Sequence, residues 1–266
     1  LFRFHAEKSH MTQASLRGIV YFGTSYVYHF LEVCSGCARL TQAMQICGLK
    51  TLSPVDLNTG WDLTKRSDVK RLKQVIHDYR PLLTHLAPSC RIFSQAFHPQ
   101  KPVEVYTAED NYKLDMLLAV HIAEIGEYIY SLFLFMAIEN PLMSRIFKLM
   151  VYVRLHLKAG MFFMTLNYCM YGHRHRESNE LIWKGLKILT NAPWLAPLGV
   201  LCDRTHAHHH LMANHTTWSA AYGEALCKDY ALMHKSAPQW LKLLHCRLPI
   251  TKPDKHWKKV SSLALE

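Results

Sequence analysis

Short apolar runs alternate with amphipathic stretches along the first two thirds of the chain, and the alternation predicts its elements. Tyr26 to Val33 (YVYHFLEV) reads as a buried strand, followed by a turn of small residues, Cys34-Ser35-Gly36-Cys37. Leu40, Ala43, Met44 and Cys47 then recur at helical spacing, and Gly48 supplies the stop. Leu52 to Leu57 (LSPVDL) predicts a second short strand that carries Asp56 near its end. Ser67 can cap a helix whose Val69, Leu72, Val75 and Ile76 share one face. Pro81 to Pro88 (PLLTHLAP) has almost no polar face and leads straight into Ser89-Cys90. Glu109 to Tyr128 follows the helical period, and Ser131 to Ile138 (SLFLFMAI) is an apolar strand ending at Glu139-Asn140-Pro141. Leu142 to Leu157 reads as helix and Gly160 to Cys169 (GMFFMTLNYC) as a further strand.

Strands apolar on both faces and separated by helices predict an α/β fold, with a mostly parallel sheet and helices on both faces. In such sheets ligands bind beyond the carboxyl ends of the strands. The unusual polar motifs of this chain fall at those ends. After about Arg176 the pattern weakens. A basic-apolar stretch, Leu181 to Thr190 (LIWKGLKILT), precedes a Pro-rich turn and a histidine cluster from Cys202 to His215. Helices are expected over Thr217 to His234 and Pro238 to His245, before a loosely ordered tail from Lys252. The expected organisation is a core over residues 1–176 and a small Cys/His-rich, helical extension over 177–266 packed on it.

At 266 residues, half of them apolar and 19% charged, there is material for one full-sized core. The longest apolar stretch, Leu117 to Ile138, carries His121, Glu124 and Glu127. Such groups are costly in lipid, so a helix and a buried strand are expected and a membrane partner is not. The net charge of +11 points to a polyanionic partner, because neutralising phosphates releases counterions. Eight cysteines at scattered spacings do not form a secreted disulfide framework, and the N-terminus lacks the layout of a signal peptide. An intracellular location is expected, with the nucleus favoured for a nucleic-acid partner.

Three motifs carry candidate chemistry. Glu32 to Thr41 (EVCSGCARLT) places a tight turn at a strand–helix junction, where backbone can approach a ligand in front of a helix N-terminus. Asp56 closes the next strand, where an acid can bond a ribose hydroxyl, and Asp62 follows Gly60-Trp61. Ala87 to Ser94 (APSCRIFS) sets Cys90 at a strand terminus with Arg91 beside it, and a thiol held at an electropositive site is a nucleophile. Glu139-Asn140-Pro141 ends the neighbouring strand, so Glu139 and Cys90 are expected to face one site. A nucleophile beside a carboxylic acid suits attack on an electron-poor ring whose nitrogen must be protonated.

These three motifs, in this order and on these elements, resemble the DNA cytosine-5 methyltransferase family over roughly residues 26–176. Glu32 to Thr41 matches the family's glycine-rich cofactor loop. Pro88 to Ser94 keeps the Pro, Cys, Phe and Ser of its nucleophile loop, and Glu139-Asn140-Pro141 matches its Glu-Asn-Val motif. The set is also similar to methyltransferase-like modules of mobile genetic elements, which share a late Cys/His cluster. The resemblance implies a Rossmann-like, S-adenosyl-L-methionine (SAM)-dependent enzyme. In the family a thiolate adds to C6 of cytosine, a glutamate protonates N3 and C5 takes the methyl group; here these roles fall to Cys90 and Glu139. Glu32 and Asp56 would hold the methionine and ribose parts of SAM and Asp62 would lie near the adenine. Ser35, Gly36, Cys37, Leu57, Leu63 and Pro88 complete the implied cofactor site. The family's arginine segment corresponds to Tyr171 to Arg176, so that Arg174 or Arg176 would support an extruded base. DNA is expected over RNA as substrate. Ala38 and Arg39 depart from the family's glycines, Ser89 from a proline and Arg91 from a glutamine, and no large recognition domain follows. The alternative expectation is therefore an inactive module that binds nucleic acid or serves assembly.

Cys202-x3-His206-x-His208, with His209, His210 and His215 close by, is dense in metal ligands. Cys169, at the end of the last apolar strand, completes a four-ligand set with Cys202, His206 and His208, and zinc favours such mixed tetrahedra. A structural ion there would tie the weakly patterned last third to the sheet.

Overall fold

A computed structural model of the chain describes residues 28–94, 105–209, 222–239 and 241. Its strands are β1 (Phe30–Val33), β2 (Leu83–Leu86), β3 (Phe135–Pro141), β4 (Phe162–Asn167), β5 (Leu181–Ile182), β6 (Gly185–Thr190) and β7 (His208–His209). Its helices are α1 (Arg39–Ile46), α2 (Arg66–Tyr79), α3 (Val105–Ser131), α4 (Met150–His156) and α5 (Glu224–Lys235). Five strands form the main sheet in the order β1-β2-β3-β6-β4. β1, β2 and β3 pair in parallel, and β6 runs antiparallel to both β3 and β4. β4 therefore points the same way as the first three, and the sheet is mixed but mostly parallel. β5 and β7 pair separately.

Side chains leave this sheet to both sides because successive residues of a strand face opposite ways. On one side Leu31, Val33, Met136 and Ile138 pack under α2, α3 and α4, through Val69, Leu72, Ile76, Ile122 and Leu155. On the other side Phe30, Leu83, Phe135 and Ala137 meet α1 and α5, through Leu40, Met44, Leu226 and Tyr230, and the buried Trp194. The result is an α/β molecule with helices on both faces, as the apolar pattern predicted.

The chain departs from expectation in four places. In place of a strand over Leu52 to Leu57 there are only isolated parallel bridges to β1, Val55 with Val33 and, one residue before the segment, Thr51 with Phe30, because Pro54 and the turn at Asp56 break the ladder. α2 starts at Arg66 with Lys65 as its N-cap, which puts Ser67 inside its first turn. The helix expected over 142–157 is a 3-10 turn at Arg145–Lys148 followed by α4, with Leu149 extended between them (φ −64°, ψ 137°). The boundary expected at residue 176 is corrected: β6 comes from the predicted extension yet lies inside the sheet between β3 and β4. Among the described residues no helix is long and apolar enough to cross a membrane. Of the helices expected over 217–234 and 238–245, α5 and the helical residues 237–239 and 241 are described, the rest lying outside the described residues.

The connections fix where a ligand can sit. From β1 the chain crosses first to Thr51–Val55 on its free edge, then back to β2 on the other side. Loops diverging in this way open a crevice at the carboxyl ends of the strands. The loops after β1, Val55 and β2, and the end of β3, all arrive there.

Candidate functional site

Between β1 and α1 the backbone turns through Cys34, Gly36 and Ala38, all with positive φ (55°, 53° and 53°). At Ala38 this is a conformation that favours glycine, and it is carried as local strain. The Gly36 amide donates to Asp56 Oδ2 (3.0 Å), which ties the loop to the edge segment. Asp56 also accepts from Asn58 N (3.1 Å) and caps the short turn after it. A Cβ at Gly36 would meet nothing within 4 Å. Leu57 is 72% exposed, and the Ser35 hydroxyl is buried with no hydrogen-bond partner among the described residues. Open space, an orphan hydroxyl, an acid and an apolar side chain together fit a nucleoside-bearing cofactor. Cys37 lies exposed in the same loop.

Three expected cofactor residues are placed differently. Glu32 is buried behind the loop, where its Oε2 accepts from Thr41 N (2.7 Å) and Thr41 Oγ1 (2.6 Å) and pins α1 to β1. Burial raises its carboxyl above the usual range, against the pull of those bonds. Asp62 accepts from Thr64 Oγ1 (2.6 Å) and Thr64 N (3.1 Å) in the turn before α2, bonds that hold its carboxyl low. Leu63 is a core residue, and its carbonyl meets His121 Nδ1 at 2.8 Å.

β2 runs on into the loop of Cys90. Asn140 Nδ2 donates to the carbonyl of buried Pro88 (2.9 Å), joining the second and third motifs directly. The Cys90 carbonyl accepts from Phe93 N (3.0 Å) and Ser94 N (2.8 Å), and buried Ile92 and Phe93 anchor this turn. Burial pushes the Cys90 thiol up. The Lys184 ammonium draws it down, while Glu139 and Asp115 add to the rise. Glu139 is raised chiefly by burial and lowered by a hydrogen bond from Tyr222 and by the same Lys184. Lys184, depressed by burial, is sustained by Glu139 and Cys90. Cys90 and Glu139 thus stand at the ends of adjacent strands, and the charge of Lys184 acts on both. The Tyr222 hydroxyl donates to Glu139 Oε2 (2.8 Å) and lies 2.9 Å from His85 Nε2, whose Nδ1 is 3.1 Å from Tyr230 Oη.

The cations of this site differ from the sequence reading. Arg91 turns from Cys90 to the buried Asp115 on α3, with Nε–Oδ2 2.8 Å and Nη2–Oδ1 2.9 Å. Arg174 and Arg176 are exposed. Gly172 (φ 66°) and a bridge between Arg174 and Leu181 fold their segment back on itself, with Arg174 Nη1 donating to Asn179 O (2.7 Å). The cation that acts on both Cys90 and Glu139 is Lys184, immediately before β6. Lys184, Tyr222 and His85 escaped the sequence reading. For Lys184 a signal existed, in the apolar residues 186, 188 and 189 that follow Gly185.

The four expected metal ligands do come together. Cys169 sits in the 3-10 turn after β4 and the others on the segment leading into β7. Cys202 Sγ is 3.6 Å from His206 Nε2 and 3.4 Å from His208 Nε2. The four ligand atoms lie within 4.8 Å of one another and can hold a metal ion. Cys202 N donates to Asn167 Oδ1 (2.9 Å), and Arg204 N donates to Cys202 Sγ (3.2 Å). His209 stands apart, stacked on His175 at 3.7 Å and paired with Glu180 Oε2 at 3.1 Å. His210 and His215 lie outside the described residues. No protein-family model and no curated protein matches the chain.

Proposed function

We propose that the chain is a SAM-dependent methyltransferase of Rossmann-like fold that methylates cytosine C5 in nucleic acid, DNA in preference to RNA, through Cys90. One observation carries the reading: the bond from Asn140 Nδ2 to the Pro88 carbonyl joins the loop of Cys90 to the strand end that bears Glu139, and Lys184 acts on both groups. Lys184 favours the thiolate needed for attack on C6, and burial raises Glu139 towards the acid form that can give a proton to N3. SAM, when bound, supplies the methyl group. Asp56 would take its ribose hydroxyls, Leu57 its adenine face, and Ser35 and Gly36 its polar chain. A cytosine inside a duplex must be extruded to reach Cys90, or the substrate is single-stranded. The +11 charge supports the polyanionic partner. The Cys169, Cys202, His206 and His208 group belongs to this reading as a structural zinc site, since its donors fill all four positions of a tetrahedron.

The test is transfer of label from SAM to DNA and RNA oligonucleotides, with 5-fluorocytosine substrates to trap the adduct. Label on cytosine and a trapped protein–DNA product that Cys90→Ala abolishes are expected. Methylation that survives Cys90→Ala would mean another acceptor and another mechanism. The strained Ala38 and the bond from Arg39 Nη1 to Tyr222 O (2.8 Å) favour a second reading, an inactive nucleic-acid-binding module. Salt-sensitive nucleic-acid binding with no SAM binding would select it.

A further inference from the structure

Lys184 stands between two ligand-bearing segments. Its carbonyl accepts from the amide of Tyr168, the residue before Cys169, at 2.8 Å. Its neighbour Trp183 sets its ring edge-on to His208, centroids 4.6 Å apart, and donates its amide to His209 O (3.4 Å). On the far side Gly185 O accepts from Leu142 N (2.9 Å), three residues beyond Glu139. One short wall therefore joins the metal ligands to the cation of the Cys90 site. Its secondary structure is slight. β5 and β7 have two residues each, paired Leu181 with His208 and Ile182 with His209, and a ladder that short is not stable on its own.

We propose that a zinc ion held by Cys169, Cys202, His206 and His208 clamps this wall, and that its occupancy sets the reactivity of Cys90 by keeping Lys184 in place. Bond lengths of about 2.3 Å to sulfur and about 2.1 Å to nitrogen put tetrahedral donors roughly 3.4–3.8 Å apart. The two distances from Cys202 Sγ are already at that spacing, and the widest separation of 4.8 Å closes by about 1 Å. Support for the donors is in place: the Arg204 amide on Cys202 Sγ, and Asp203 Oδ1 at 3.9 Å from His206 Nδ1. Four protein donors leave no open position for substrate, so the ion acts through structure. The inference rests on the proposed function only in taking Cys90 as the reactive group, and its readout needs neither SAM nor nucleic acid.

The full chain is assayed for bound metal, stripped with a chelator, and reloaded with zinc or cobalt(II). One zinc per chain is expected, and a tetrahedral cobalt spectrum with a thiolate band that Cys202→Ser weakens. The rate of Cys90 alkylation by iodoacetamide is then read by peptide mapping across pH. Stripping slows it about tenfold at neutral pH, the change in thiolate fraction that one pKa unit gives. Zinc-loaded Lys184→Met shows the same fall, and stripping that variant adds little, because both act through one group. Buried Cys227, pushed up to about 12 by burial, stays unlabelled while the fold persists. If stripping exposes it, zinc-loaded Trp183→Ala replaces the stripped protein and must reproduce the fall. Absence of stoichiometric metal, or Cys90 rates indifferent to both metal and Trp183, overturns the clamp. Label transfer with indifferent rates sinks the clamp and leaves the methyltransferase; metal-dependent rates without label transfer do the reverse.

Discussion

His85 is buried between two tyrosines, and burial drives its imidazole down to about 3, so it is neutral and has one proton to donate. The Tyr222 hydroxyl donates to Glu139, so it must accept from His85 Nε2, and His85 Nδ1 must accept from Tyr230. The donors of this chain all point towards the carboxylate. Tyr222→Phe leaves a buried carboxylate and a buried ring N–H each short of a partner. It should destabilise the protein by about 1–3 kcal/mol in urea unfolding at pH 7. Combined with Glu139→Gln the cost should shrink, and full additivity would show that the hydroxyl does not serve the carboxylate. At this scale Cys90, Glu139 and the four metal ligands were legible because each stands in a compact motif or at the end of an apolar run. His85 and Tyr222 were not. His85 sits inside a run that reads as plain buried strand, and Tyr222 meets Glu139 from 83 positions away, a pairing no local spacing encodes.

β6 is the element that decides how the sheet closes, and its sequence hides it. Lys187 interrupts the apolar run at a partly buried position, yet its ammonium lies over the rings of Phe163 (4.8 Å) and Phe147 (6.0 Å), which let a charge sit on a packed face. Gly185 opens the strand where β3 ends, and a Cβ there would come within 2.9 Å of Leu142 Cβ and 2.8 Å of its Cδ2. Gly185→Ala should therefore cost about 1–3 kcal/mol, the range for overpacking, measured by thermal or denaturant unfolding. It should also slow label transfer, because Gly185 directly follows Lys184 in the chain. An unchanged stability would mean Leu142 moves aside freely. The parallel core was readable because strands buried on both faces leave continuous apolar runs. The segment 142–157 misled for a related reason. Its apolar residues suit a helix, while Ser144 Oγ accepting from Ile146 N (3.2 Å) starts a tighter 3-10 turn and extended Leu149 separates it from α4.

Across the whole molecule, the buried imidazoles set a pH limit that the surface charge does not. His85 and His234 are both neutral in the folded state, lowered by burial to about 3 and about 4, against about 6.5 in an unfolded chain. Below pH 6.5 the unfolded state therefore binds more protons, and stability falls as pH falls, until the folded values are reached. Each group contributes a slope of about 1.4 kcal/mol per pH unit in that window, so the pair costs on the order of 4 kcal/mol between pH 7.5 and 5. Glu32 and Glu139 work the other way, since burial raises both and protonation relieves their buried charge as the pH drops. The net slope is the balance of the two sets, which single variants separate. His85→Gln should flatten the dependence of unfolding free energy on pH between 6.5 and 4 by about one proton's worth, relative to wild type. Taking the difference between the two proteins cancels the pH dependence of a bound metal and of the carboxylates. An identical slope would mean that His85 takes up its proton in the fold as it does in the unfolded chain, so that Nδ1 donates to Tyr230 while the path from Nε2 through Tyr222 to Glu139 keeps its direction.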